Sequence, residues 1–141
     1  MRISSKEELI ARTARALLPV VSARAALLFG SHIVGHARAG SDVDIGVLVD
    51  AAAATALRKP LLWTLFAALG RELSAERLDV VILNDAPPKV AFRVLSEGRV
   101  AFERDPVDLH RFRVLTYSRH ADHQPVERLF EEASERGGSR R

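Results

Sequence analysis

The chain has 141 residues, a length typical of one domain built around a single hydrophobic core. Its hydrophobic content of 48% and charged content of 28% are ordinary for a folded globular protein and argue against disorder. Cysteine is absent, which excludes a disulfide framework, a thiolate nucleophile and a cysteine-based zinc site, and favours a cytoplasmic location. The net charge of +3 comes from basic residues interspersed with acids, so direct nucleic-acid binding is not expected. Because uncharged apolar runs are short, we expect no membrane span.

Helical and strand patterns alternate along the chain. Apolar residues that recur every three or four positions indicate helices, and short apolar runs between turn residues indicate buried strands. We predict helices over Lys6–Leu18, Lys89–Ser96 and Pro106–His120, a helical turn over Ile33–Arg38, a helix within Ala51–Leu73 that is broken near Pro60, a further helical segment over Val126–Ala133, and strands over Ala25–Phe29, Asp44–Val49, Leu78–Leu83 and Val100–Phe102. This alternation predicts an α/β (α+β) fold, in which helices pack over a small mixed β-sheet.

We expect a single domain with a C-terminal addition. Residues 1–105 would form the core, 106–136 a helical extension of the same domain, and 137–141 a flexible tail. Within the long helical region, Leu62, Trp63 and Phe66 form an apolar stripe at helical spacing, and we expect this stripe to pack into the core, with a partner surface as the alternative.

The clearest functional signal lies between Leu27 and Asp50. Gly30 and Ser31 follow the first predicted strand, where free backbone N–H groups, a glycine and a hydroxyl donor suit a phosphate. After ten further residues come Asp42 and Asp44, two positions apart on a strand, so their side chains point to the same face. Hard carboxylate oxygens suit Mg²⁺, which completes its coordination with water and substrate phosphates.

A third acid, Asp79, stands at the head of another apolar strand. Such a position is costly for an acid that has no partner or role. If this strand lies beside the one that carries Asp44, then Asp79 joins Asp42 and Asp44 around one pocket. Three carboxylates around a pocket suit two-metal phosphoryl transfer. The residues alone therefore predict a metal-dependent phosphoryl or nucleotidyl transfer site.

Together these residues resemble the minimal nucleotidyltransferases of the DNA polymerase β-like superfamily. Within that superfamily the chain is most similar to the MntA-type antitoxins that are paired with HEPN-domain ribonuclease toxins, and the resemblance covers about Lys6 to Arg111. It implies Gly30, Ser31 and Ser41 as nucleotide-binding residues, and Asp42, Asp44 and Asp79 as catalytic residues and ligands of Mg²⁺. In this scheme Asp79 completes the triad and helps to deprotonate the acceptor hydroxyl.

The resemblance implies transfer of AMP from ATP to a tyrosine of the partner toxin, with release of pyrophosphate. ATP and a HEPN-domain toxin would then be the partners, the latter in a hetero-oligomer. The chain departs from the family where members often carry an Arg-rich segment after Gly-Ser, because it has His32-Ile33-Val34-Gly35 there. Either His32 or Arg38 takes over the basic role, or nucleotide affinity is lower.

Two other functions stay open at this point. One is an antitoxin that neutralises its toxin by binding alone, through the apolar positions Leu109, Phe112, Leu115, Leu129 and Phe130. The other is transfer to a small molecule such as an aminoglycoside, for which the residues after Pro106 are too few to form the usual second domain.

Elsewhere, His120 and His123 flank Asp122, and without a third strong ligand we expect a solvent-exposed pair rather than a metal site. The glycine spacing fits neither a Rossmann nor a P-loop motif.

Overall fold

A computed structural model describes residues 5–34, 42–73 and 77–122, with the side chains of His32, Val34 and Asp122 excepted. In this part of the chain the helices are α1 (Lys6–Leu17), α2 (Ser31–Val34), α3 (Ala51–Ala54), α4 (Arg58–Leu73), α5 (Pro88–Glu97) and α6 (Pro106–Asp122), and the strands are β1 (Ala23–Phe29), β2 (Val43–Val49), β3 (Leu78–Ile82) and β4 (Arg99–Glu103). The predicted α/β fold is confirmed. The predicted segments Val126–Ala133 and 137–141 lie outside the described residues.

The strands form one mixed sheet in the order β3-β2-β1-β4. Strand β1 runs antiparallel to both β2 and β4, whereas β2 and β3 are parallel. The prediction that Leu83 belongs to the third strand was wrong, because a 3₁₀ turn over Leu83–Asp85 begins there. In that turn the Asn84 side chain accepts a hydrogen bond from Val49 N at 2.9 Å and donates one to Val49 O at 3.0 Å, so it acts as a strand partner at the end of β2.

Helices cover both faces of the sheet. On one face, α1 and α4 contribute Leu9, Leu17, Leu65 and Leu69 to a buried cluster that includes the β2 side chains Ile45, Val47 and Val49. On the other face, Val94 and Leu95 of α5 and Leu109 of α6 pack against Leu27, Leu48 and Leu83. Burial of these two clusters supplies the main driving force for the fold. Among the described helices, none is both long enough and apolar enough to cross a membrane.

Helix α4 turns a different face to the core than the sequence predicted. Its buried side chains are Leu61, Leu65, Leu69 and Leu73, which recur every four residues. Trp63 follows Leu61 by two residues and therefore lies about 200° around the helix, and its side chain is 70% exposed. Phe66 is also exposed, whereas Leu62 is partly buried against the core. The prediction that Trp63 and Phe66 pack into the core was wrong.

The break before α4 lies at Thr55–Leu57, slightly ahead of the predicted position at Pro60. Pro60 instead occupies the first turn of α4, where the missing N–H would have no helical partner in any case.

Helix α6 is joined to the core rather than attached loosely at its edge. Arg24 Nε in β1 lies 2.7 Å from Asp108 Oδ2, and Arg113 donates a hydrogen bond of 3.1 Å to the carbonyl oxygen of Leu95. Leu109 is only 3% exposed, so the expectation that it contributes to a partner surface was wrong. Phe112 is partly buried and Leu115 is exposed, while Leu129 and Phe130 lie outside the described residues.

Arg104, just after β4, ties the end of α1 to the sheet. Its guanidinium donates hydrogen bonds of 2.9 to 3.1 Å to the carbonyl oxygens of Leu17, Leu18, Val20 and Ala23. These include carbonyls at the end of α1, which have no partners within the helix and carry the negative end of its dipole.

We expect Arg104→Met to lower the free energy of unfolding by about 2 kcal/mol, because hydrogen bonds to charged groups contribute about 1.5–3 kcal/mol and the carbonyls would lose their donor. Denaturant unfolding followed by circular dichroism measures this loss. Arg93→Met is the matched control, since it removes only an exposed ion pair with Glu97 within one helix and should cost about 0.5 kcal/mol or less. Equal losses in the two variants would contradict the assigned role of Arg104.

Candidate active site

The three predicted acids lie at one end of the sheet, where β2 and β3 begin and β1 ends. Asp42 immediately precedes β2, Asp44 is its second residue, and Asp79 is the second residue of β3. In the parallel pairing of β2 with β3, Asp44 is the register partner of Asp79. Register partners on adjacent strands point to the same face at a strand spacing of about 4.8 Å. The sheet therefore brings Asp44 and Asp79 side by side, as the sequence predicted.

Gly30 packs against one of these two acids, Asp44. In the antiparallel pairing of β1 with β2, Phe29 is the register partner of Asp44, so the following glycine turns beside the carboxylate. Gly30 has a φ of 82°, a conformation that L side chains rarely adopt. A Cβ atom added there would lie 2.1 Å from Asp44 Oδ2 and 3.0 Å from its Cγ. A glycine is therefore required both by the backbone turn and by the position of the Asp44 carboxylate.

Ser31 begins α2 directly after this turn. The backbone bends because Ile33 N donates a hydrogen bond of 3.0 Å to Gly30 O. Ser41 and Arg38, two other residues considered at the sequence level, lie outside the described residues, and the side chain of His32 is also not described.

Asp42 pairs with an arginine that the sequence analysis missed. Arg77 Nε lies 2.8 Å from Asp42 Oδ1. This oxygen is shielded from solvent, yet it accepts no hydrogen bond in the described structure. Distance and hydrogen-bond geometry thus differ here: the charges are in contact, but the Nε–H group does not point at the oxygen. The contact is therefore an electrostatic attraction between two side chains whose relative orientation is loose. Arg77 stands two positions before Asp79, and in a strand this spacing places two side chains on the same face. This spacing was the signal in the sequence that could have indicated Arg77 as a neighbour of the acids.

The chemistry of these acids fits a Mg²⁺ ion. Asp44 and Asp79 offer adjacent hard oxygen donors, and Asp42 Oδ1 is a shielded acceptor whose hydrogen-bonding capacity is unused. Within the described residues, no three His, Asp or Glu side chains lie close enough together to hold a metal, so the predicted joining of all three acids is not present there. Mg²⁺ commonly takes one or two protein carboxylates and completes its shell with water and substrate phosphates, which matches this arrangement.

Two further features involve none of the three acids in the contacts that describe them. The His120 ring stacks on Phe92 with centroids 3.9 Å apart and an angle of 8° between the planes, so His120 makes an aromatic contact, and its proposed companion His123 lies outside the described residues. A cleft of about 320 Å³ lies at the opposite end of β2, under α6. It is lined by Arg24, Leu48, Val49, Asp50, Ala51, Asp108, Arg111, Phe112 and Leu115, and by none of the predicted site residues.

Comparison with protein families identifies one match. The family described as Polymerase beta, Nucleotidyltransferase matches residues 17–107, which is more than half of the chain and includes Gly30, Asp42, Asp44 and Asp79. A comparison with curated proteins finds no match.

Solved structures with a similar fold come from toxin–antitoxin complexes. A toxin–antitoxin with AMP-PNP shares 26% sequence identity at a TM-score of 0.65, over 92% of this chain and 98% of that chain. A variant of the toxin–antitoxin MntA-HpeT shares 25% identity at a TM-score of 0.65, over 93% and 98% of the two chains. The complex of a tri-AMPylated HEPN toxin with its MNT antitoxin from Shewanella oneidensis shares 24% identity at a TM-score of 0.59, over 91% and 94%, and at this identity the likeness shows a common fold.

The geometry of Gly30 predicts that Gly30→Ala destabilises the protein by about 1–3 kcal/mol, because the turn has a positive φ and the new methyl group meets the Asp44 carboxylate. Gly70→Ala is the matched control, since a Cβ atom at Gly70 in α4 meets nothing within 4 Å. It should stabilise the protein by up to about 1 kcal/mol through helix propensity. Thermal unfolding of both variants measures the difference, and a Gly30→Ala variant as stable as Gly70→Ala would rule out the assigned contact.

Proposed function

Since the chain belongs to the polymerase beta nucleotidyltransferase family, we propose that it is an antitoxin that transfers AMP from ATP to a tyrosine of a partner HEPN-domain toxin and releases pyrophosphate. The observation that carries this proposal is the register that sets Asp44 beside Asp79 and against Gly30. This register sets Asp44 and Asp79 on adjacent strands, at the end of the sheet where β2 and β3 begin.

The relatives support the choice of substrate and partner. The structure at 26% identity is a toxin–antitoxin with AMP-PNP, an analogue of ATP. In the Shewanella oneidensis complex the HEPN toxin carries AMP groups, which are the product of the reaction proposed here. The tyrosine as acceptor follows from the family resemblance alone, and a cytoplasmic location, where ATP is available, is part of the proposal.

The proposed reaction is an in-line displacement at the α-phosphorus of ATP. The acceptor oxygen forms a bond to this phosphorus, and the bond from the phosphorus to the oxygen that bridges to the β-phosphate breaks. Pyrophosphate leaves with that electron pair, and the proton of the acceptor hydroxyl passes to the carboxylate of Asp79. Atoms and charge are thereby balanced without a further reactant.

The exposure of the acids supports this division of roles. Asp79 is exposed at the head of β3, where an incoming hydroxyl can reach it, which suits a general base. Asp44 is half-buried against Gly30 and is therefore held in one position, which suits a metal ligand. Asp42 and Asp44 are the proposed metal ligands, and Asp79 is a third from the family resemblance alone, because the three acids do not form one metal-holding cluster within the described residues. A bound Mg²⁺ would supply positive charge to the triphosphate and lower the pKa of the attacking hydroxyl.

Gly30 and Ser31 would bind the phosphates of ATP. The first N–H groups of a helix lack carbonyl partners within it, and Gly30 allows a ligand to approach the main chain closely. The Ser31 hydroxyl would add one donor. Ser41 is proposed for the same role from the family resemblance.

Binding without catalysis is the second candidate, and the surface of α6 favours it. Val107, Val114, Leu115 and Tyr117 are exposed large side chains on this helix. Apolar and aromatic side chains of this kind are typical of the centre of protein interfaces. The two functions differ in whether the carboxylates are needed.

The enzyme proposal predicts that Asp79→Asn lowers transfer of label from α-³²P-ATP to the toxin by about 10²–10⁴-fold, the range expected when a general base is lost. Asp44→Asn should give a comparable loss by removing a metal ligand. Asp85→Asn is the control, because Asp85 lies in the 3₁₀ turn at the other end of β3 and pairs there with Arg58 of α4. Label transfer by this variant should stay within about twofold of wild type.

Label transfer that survives Asp44→Asn and Asp79→Asn would exclude the enzyme proposal. The binding alternative predicts instead that Asp44→Asn still protects cells from the toxin, whereas Leu115→Asp on α6 does not.

A further inference from the structure

Arg77 stands at the entrance to β3 with its backbone fixed and its side chain exposed. Its carbonyl oxygen accepts a hydrogen bond of 3.1 Å from Val43 N, which joins the residue to the beginning of β2. Its side chain is 68% exposed, and that of Asp42, the acid it contacts, is 42% exposed. The guanidinium can therefore move while the main chain beside Asp42 stays in place.

The contact between these two side chains is electrostatic rather than tightly oriented. Arg77 Nε and Asp42 Oδ1 are 2.8 Å apart, but the oxygen accepts no hydrogen bond in the described structure. A shielded carboxylate oxygen without a donor is unfavourable unless a cation is close. Arg77 supplies that positive charge, and a divalent cation would supply more of it at the same atom.

We propose that Arg77 is a positioning residue that balances the charge of Asp42 in the metal-free protein and competes with a divalent cation for Asp42 Oδ1. The inference rests on the proposed function, because it takes Asp42 as a ligand of the catalytic metal. Metal entry then requires the guanidinium to move away from Oδ1. The arginine keeps metal affinity low when no nucleotide is present, since its positive charge also makes the electrostatic potential around Asp44 and Asp79 less negative.

Metal affinity measured without nucleotide tests this competition. Mn²⁺ titrated into the full-length chain and followed by electron paramagnetic resonance is the probe, because Mn²⁺ takes the same oxygen ligands as Mg²⁺. We expect Arg77→Gln to lower the Kd for Mn²⁺ by about 3- to 10-fold, the size expected from removing one exposed charge close to a divalent ion. Arg77→Lys keeps the charge and should stay within about threefold of wild type.

Arg93→Gln is the matched control. Arg93 is also an exposed arginine, at 64%, in an ion pair with a carboxylate, Glu97, but this pair lies on α5. Its replacement removes the same charge from the protein and should change the Kd for Mn²⁺ by less than twofold. If glutamine at position 77 disturbs the entrance to β3, as judged by circular dichroism, Arg77→Ala gives the same test.

The outcomes separate this inference from the function on which it rests. If Arg77→Gln and Arg93→Gln have the same Kd for Mn²⁺ while Asp44→Asn weakens binding, the inference is overturned and the proposed metal site stands. If Asp44→Asn leaves Mn²⁺ binding unchanged, the ion is not at the proposed site, and both the metal assignment and the inference fail. Tighter binding in Arg77→Gln alone, lost again in Arg77→Gln combined with Asp44→Asn, supports the inference.

Discussion

The pairing of β2 with neighbours of opposite direction is the constraint on which the site depends. Its antiparallel pairing with β1 brings the turn at Gly30 beside Asp44, and its parallel pairing with β3 brings Asp79 to the same edge. A slip of β2 by one residue would turn Asp44 toward α1 and α4 and move Ile45 out of the core. Burial of Ile45, Val47 and Val49 on one face therefore holds Asp44 on the other. The same strand register therefore determines both the packing of the core and the positions of the acids.

This strand register concentrates negative charge at one end of the sheet. Two unit charges 4 Å apart interact by about 1 kcal/mol in water and about 4 kcal/mol at the effective dielectric of a protein surface. Asp79 is exposed and Asp44 half-buried, so their repulsion lies between these limits and is large enough to favour a cation but small enough for the fold to tolerate. Arg77 relieves part of it at Asp42. The same repulsion would favour the proposed divalent ion at this end of the sheet.

Local patterns in the sequence were sufficient for the order of the helices and strands and for the neighbouring positions of Asp44 and Asp79. Strand and helix periods predicted the alternation, and acids at the heads of two apolar strands predicted that Asp44 and Asp79 meet. Features set by distant parts of the chain were not predictable in this way. Trp63 and Phe66 match the helical period as well as the buried leucines do, and only the direction in which α4 packs decides which row is covered. Leu109 was considered for a partner surface under the binding alternative, because β1 and β2, which help to bury it, are far away in sequence.

Arg77 illustrates the same limit within the site. It is 35 positions from Asp42, and their contact depends on the register of β2 and β3 rather than on any motif. Gly30 was partly understood: its place after a strand suggested room for a phosphate, whereas its contact with Asp44 depends on the antiparallel register. For Arg77 and Gly30 alike, the neighbouring sequence shows which residue stands at the position, but it does not show which acid that residue contacts in the fold.

The place of Asp79 in the sheet bears on the size of the acceptor. The order β3-β2-β1-β4 makes β3 an edge strand, and Asp79 is exposed at its head. Because Asp79 is exposed among the described residues, a hydroxyl carried on a large molecule could reach its carboxylate. The cleft of about 320 Å³ lies at the other end of β2, beside Leu48 and Val49. The exposure of Asp79 thus fits the proposed protein acceptor, and it fits the proposed role of Asp79, rather than of the half-buried Asp44, as the general base.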